Sequence, residues 1–166
     1  WSHELGDGES LSPTGICGSG IIEIIVELFL AGLIDAGGLF VPGATAKNPA
    51  VRVRKDGKTH EIILAPASDS ATEQGIVVTQ QDIRAVQLAK GALYAGIRLL
   101  MDHMGVETVN RVKLAGAFGS YIDPVYAMLL GLIPDCDLET VAAVGNAAGD
   151  CARVALLNVE QREMIQ

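Results

Sequence analysis

The stretch Arg111-Val112-Lys113-Leu114-Ala115-Gly116-Ala117-Phe118-Gly119-Ser120-Tyr121-Ile122-Asp123-Pro124 decides the fold. Residues 111–114 read as a short strand, the small residues after them as a loop, and residues 125–130 as a helix. A strand that ends in a glycine-rich turn before a helix is the unit of an α/β architecture, and ligands of open α/β sheets sit at such strand ends. Small side chains at 115–117 let a planar base lie against the backbone, with Phe118 packing nearby. Equally, the segment serves as a close strand-to-helix turn with Phe118 in the core.

The same unit recurs downstream. Residues 140–144 read as a strand, Val144-Gly145-Asn146-Ala147-Ala148-Gly149 as its turn, and residues 146–157 as a helix for which Asn146 suits the cap. Upstream, Gly15-Ile16-Cys17-Gly18-Ser19-Gly20 leads into the apolar run 21–34. Its charges, Glu23 and Glu27, stand four apart on one helical face, so this helix is expected to be buried on several sides. A helix amino terminus carries about half a positive charge, and glycines there leave amides open to phosphate. A tight packing turn is the plainer reading. Residues 35–38 and Pro42-Gly43 end the helix in a turn-rich link.

Between these junctions, residues 51–54 and 60–64 flank Lys55-Asp56-Gly57-Lys58, a hairpin signal. Residues 65–74 are small, polar and expected to be exposed. Thr79 with Asp82 reads as a capping box opening a helix to about Met104. Ile83, Val86, Leu93, Ile97, Leu100 and Met104 form its apolar stripe, while Gly91 and Gly96 interrupt it at about 1 kcal/mol each. Lys90 falls in the gap of the stripe. It either snorkels past apolar neighbours or, with Gln87 one turn earlier and Gly91 beside it, faces a nucleotide. Residues 131–137 read as a turn and 160–166 as a fraying polar tail. A hairpin followed by strand–helix–strand–helix predicts an α/β fold with a mixed sheet.

Composition narrows the function classes. The 166 residues suit one domain or one lobe, and 49% hydrophobic against 19% charged residues argues against disorder. Some of that apolar surface is left for a neighbour. Twelve basic and twenty acidic residues give a net charge of -8, which disfavours nucleic acid and anionic membrane surfaces. Cys17, Cys136 and Cys151 stand far apart, as do His3, His60 and His103, giving no disulfide framework, zinc site or iron–sulfur site. Reduced thiols fit a cytoplasmic protein. The longest apolar run, 24–34, is broken by Glu27 and falls short of the about 20 residues a membrane span needs. No signal peptide precedes it, and a chain opening at Trp1 reads as part of a longer polypeptide. Ser-His-Asp, HExxH and GxxxxGK(S/T) patterns are missing, and no histidine lies near Cys17 in sequence.

In this order, GICGSG, TQQDIRAVQLAKGAL, LAGAFGSYIDP and VGNAAG resemble the carboxy-terminal domain of the reductive activators of corrinoid proteins. The likeness runs from about Gly15 to Leu157. It implies a partial ribonuclease-H-like lobe of the actin, sugar-kinase and heat-shock-chaperone ATPase type, with a mixed sheet and flanking helices. The family binds ATP with Mg2+ between two lobes. It passes an electron from an amino-terminal ferredoxin-like iron–sulfur domain to Co(II) of a corrinoid protein, restoring Co(I) for methyl transfer. By resemblance, Gly116, Ala117, Phe118 and Gly119 form the adenosine loop, and Gln87, Lys90 and Gly91 border the nucleotide. Gly18, Ser19 and Gly20 lie near the cleft, and Asn146 joins the nucleotide contacts at the third junction.

The departures matter too. The cysteine-rich segment, the first lobe with its Asp-containing phosphate loop and part of the second lobe's opening hairpin are missing from this sequence. Asp123 and Asp7 are available as carboxylates, but no residue is identified as a catalytic group or magnesium ligand. Residues 1–166 are thus expected to form one ATPase-like domain, with 1–14 as linker and 158–166 as tail, that transfers no electron and hydrolyses negligible ATP alone. The expected partners are a corrinoid protein, the polypeptide's own upstream lobe and, as a further option, a second copy. The alternatives are a lobe of an acid or sugar kinase or dehydratase activator, and a non-enzymatic docking or dimerisation module.

Overall fold

The computed structural model describes residues 12–53 and 59–165. The Lys55–Lys58 turn, Asp7 and the rest of the expected loop before residue 12 lie outside the described residues. The chain forms two compact units, Trp1–Cys17 with Glu27–Gln87, and Gly18–Val26 with Leu88–Gln166. In order, the elements are α1 (Gly18–Leu30), α2 (Ala44–Lys47), β1 (Val51–Val53), β2 (His60–Ala65), β3 (Ile76–Thr79) and α3 (Gln80–Met104). Then follow β4 (Val112–Leu114), α4 (Pro124–Leu130), β5 (Val141–Ala143), α5 (Ala147–Leu157) and α6 (Val159–Ile165). Helices α1 and α3 each contribute residues to both units.

The first unit is built on the antiparallel sheet β1-β2-β3. Its register sets Val51 opposite Ile62 and Ile62 opposite Val78, and all three are buried. Cross-strand alignment of this kind puts one face of a sheet toward an apolar interior. Leu28, Leu33, Ile34, Phe40, Ala44 and Ile83 supply the other buried apolar side chains of the unit. Strand β3 is a finding beyond the sequence reading, which gave residues 76–78 no element. Helix α1 stops before the expected residue 34. The amide of Leu33 donates to the Leu28 carbonyl and that of Gly32 to Phe29, each at 2.9 Å. These two bonds are the Schellman pattern that satisfies the last helical carbonyls. The helix buries Ile22, Ile25, Val26 and Leu28, but Phe29 and Leu30 are exposed, so burial is narrower than expected.

The capping box holds as read. The amide of Thr79 donates to Asp82 Oδ2 at 2.8 Å, and the amide of Asp82 donates back to Thr79 Oγ1 at 3.3 Å. The helix that follows, α3, reaches Met104 as expected, yet its stripe is only partly covered. Ile83 is buried, while Leu93, Leu100 and Met104 are 48%, 64% and 72% exposed. Met101, outside the stripe, is buried instead. Periodicity identifies an apolar face; it does not say whether this chain covers it.

In the second unit, β4 and β5 pair in parallel, Val112 with Val141 and Leu114 with Ala143. The α/β class therefore holds, with antiparallel and parallel pairing divided between two sheets among the described residues. Asp123 caps α4 by accepting from the Val125 amide at 2.7 Å, with Pro124 in the first turn. The expected fraying tail is instead helix α6. Asn158 Oδ1 accepts from the Gln161 amide at 3.1 Å. Arg162 Nε reaches back to the Ala155 carbonyl at 2.7 Å, tying α6 to the open end of α5. Among the described residues no helix is long and apolar enough to cross a membrane.

Candidate functional site

Parallel pairing of β4 and β5 brings two glycine-rich turns side by side. The Val144 amide donates to the Leu114 carbonyl at 2.9 Å, and the Gly116 amide to the Gly145 carbonyl at 2.6 Å. Gly116 has φ 95° and Gly145 φ 65°, the left-handed region that disfavours side chains. A Cβ at either glycine would meet nothing within 4 Å. The two turns therefore present adjoining backbone with open space over it.

The loop then tightens into a single 3-10 turn, Phe118–Ser120. Gly119 is buried against the end of β4, where a Cβ would stand 3.1 Å from the Leu114 carbonyl carbon. Ser120 Oγ donates to the Gly116 carbonyl at 3.2 Å. Phe118 is not a core residue, because 53% of it is exposed. Its ring lies over Gly18, the first residue of α1, so that a Cβ there would collide with Cε2. The beginning of α1, with Gly18, Ser19 and Gly20, thus meets the second junction. The remainder of that motif, Gly15 to Cys17, belongs to the first unit. There Pro13 is held through its carbonyl by the Ala71 amide at 3.1 Å and Ser70 Oγ at 3.2 Å.

The other expected residues fall in different settings. Asn146 caps α5, its Oδ1 accepting from the Gly149 amide at 3.1 Å. Lys90 is half-buried and lies along the turn that ends α4, with Cε 3.2 Å and Nζ 3.6 Å from where a Gly131 Cβ would be. Gly91 is exposed, with open space where a side chain would be. Gln87 belongs to the first unit, where Nε2 donates to the Gly37 carbonyl at 2.9 Å and Oε1 accepts from Arg84 at 2.8 Å.

Sequence reasoning missed the companions of Gln87. Gln80 Nε2 donates to the Gly38 carbonyl at 2.6 Å, and Arg84 donates to that of Gly37 at 3.2 Å. Positions 80, 84 and 87 share one face of a helix, so the available signal was a polar stripe beside a glycine pair. Asp123 is engaged as a helix cap. Cys17 and Cys151 are exposed and Cys136 half-buried, and none of the three is in a disulfide. Among the described residues no group of three or more His, Cys, Asp or Glu side chains is gathered to hold a metal ion.

The α/β fold with open glycine turns at the ends of paired parallel strands is that of an actin-like ATPase (ASKHA) domain, as two comparisons show. Residues 3–166 match the family described as the C-terminal domain of RACo, the ASKHA domain, and the chain belongs to that family. The corrinoid activation enzyme RamQ of Eubacterium limosum is 36% identical over 155 residues, 90% of this chain and 26% of the relative. A solved structure of a reductive activator for corrinoid, iron-sulfur protein aligns with a TM-score of 0.79 at 35% identity. That alignment covers 90% of this chain and 24% of the other. The chain spans about a quarter of the length of these relatives.

Proposed function

We propose that this chain is the nucleotide-cleft lobe of an ATP-dependent reductive activator that restores Co(I) in a corrinoid protein. The observation that carries this reading is the pairing of Gly116 with Gly145, which leaves unobstructed backbone beside the start of α1. Such a surface fits a nucleotide, because a flat base needs close backbone approach and a helix amino terminus favours phosphate. The backbone of Gly116, Ala117, Phe118 and Gly119 would hold the adenosine, with Gly18, Ser19 and Gly20 toward the phosphates. Lys90 and Gly91 border the site, and Asn146 keeps α5 and its turn in place. Gln87 is assigned the support of the Gly37 turn rather than a nucleotide contact. Magnesium, when bound, neutralises phosphate charge; its protein ligands are sought outside this chain.

In the whole protein, one electron leaves a reduced iron–sulfur cluster of a ferredoxin-like part and enters Co(II), giving Co(I) for methyl transfer. The nucleotide contributes through different affinities for two conformations. The exposed Leu93, Leu100 and Met104 suit a covering neighbour, which we assign to the upstream lobe of the same polypeptide. A second copy is the other occupant to test. Three cysteines outside disulfides suit a reducing compartment, which we read as the cytoplasm.

The test uses the full-length protein, a corrinoid protein poised as Co(II), a reductant and Mg-ATP, with Co(I) followed by absorbance. Co(I) is expected to accumulate only when ATP is present. Equal reduction without nucleotide, or none with it, contradicts the reading.

A further inference from the structure

We infer that Phe118 is a positioning residue for the nucleotide, its ring seated on Gly18 so as to set the distance between loop 115–120 and the first turn of α1. The inference rests on the nucleotide reading above and adds how its two halves are held in register.

The ring's place is defined from both sides. On the loop side its backbone is pinned: the Gly116 amide bonds the Gly145 carbonyl at 2.6 Å, and the Tyr121 amide bonds the Phe118 carbonyl at 3.1 Å. Gly119, next in sequence, is buried against Leu114. On the α1 side, the missing side chain of Gly18 makes the seat. A Cβ there would collide with Cε2 and stand 3.1 Å from Cδ2 and 3.5 Å from Cζ. With 53% of Phe118 exposed, burial alone does not account for a phenyl ring here. The adenosine is assigned to the loop and the phosphates to the start of α1. One nucleotide engages both only at the right separation, and a small misplacement loses much of the binding.

This arrangement separates positioning from stability. The atoms that a new Cβ would strike belong to the outer end of a ring, so Gly18→Ala swings the ring away and leaves the backbone in place. Gly18 does not adopt the left-handed conformation that disfavours a side chain, so its backbone accepts alanine and the variant is expected to keep its stability.

The experiment titrates Mg-ATP calorimetrically into full-length wild type, Gly18→Ala, Phe118→Ala, the double variant and Phe118→Leu. Melting temperatures and ATPase kinetics are measured on each. Each alanine variant is expected to bind about tenfold more weakly, and the double variant no more weakly than either, since both remove one contact. Phe118→Leu should recover most of the affinity. Gly18→Ala should melt no lower than wild type, and the KM for ATP should rise by a larger factor than kcat falls. Losses that multiply in the double variant, or unchanged affinity in both single variants, overturn the inference while the nucleotide reading stands. A wild type that binds no nucleotide overturns both.

Discussion

Replacing Gly116 with aspartate abolishes nucleotide binding and leaves the fold in place. Two effects combine at this position. Its φ of 95° is a conformation in which any side chain is strained, at about 1–2 kcal/mol. The new side chain would meet no protein atom within 4 Å, so the strain is local and the two-sheet scaffold tolerates it. The carboxylate then occupies the open face over the Gly116–Gly145 pair, where a bound nucleotide would be blocked and its negative charge repelled. The expected loss of affinity is at least about a hundredfold, larger than a single lost contact gives. Mg-ATP at 100 times its dissociation constant should stabilise the wild type by about 2.7 kcal/mol in thermal unfolding, and the variant by at most about 0.4 kcal/mol. Gly116→Ala separates the parts, because it keeps the strain without the charge. Equal affinity in the aspartate variant and wild type would remove the loop from the binding site.

Replacing Ile83 with alanine costs the most stability, about 2–5 kcal/mol. Ile83 is fully buried in the first turns of α3, just behind the Thr79–Asp82 cap, and it and Val78 are the largest fully buried side chains among the described residues. Removing three carbons from such a site gives up transfer free energy and leaves a cavity that a capped helix does not readily close. Urea unfolding of the full-length protein should show a lower midpoint with little change in slope. A loss below about 1 kcal/mol would mean that the site relaxes or is not a core position.

How much of this was legible in the sequence depends on how local each feature is. The cap at Thr79 and the junctions at Gly116 and Gly145 were readable because the residues that make them are neighbours in the chain. Strand β3 was not. Its four residues, Ile76–Thr79, become a strand only by pairing with β2, and the same Thr79 signals a helix start. The apolar stripe of α3 was read correctly as helical, but Leu93, Leu100 and Met104 show that an apolar face and a covered face are different things. Helix α6 escaped because its anchor, Arg162, reaches back to Ala155 through a contact that no propensity reports. The candidate site divides in the same way. Glycine content exposed the two strand-end turns, whereas the seat of Phe118 on Gly18 joins residues far apart in sequence. Gln87 reads as bordering the nucleotide from its helix position and the family resemblance, whereas its carbonyl partner, Gly37, 50 residues away, is not legible in the sequence.

Hydrogen exchange of the full-length protein with and without saturating Mg-ATP tests the central claim most directly, since it reports where the nucleotide sits. The amides of residues 18–20 and 116–119 should exchange more slowly when ATP is bound, with the turn at Gly145 following them. Protection confined to other parts of the protein, with these segments unchanged, would contradict the account.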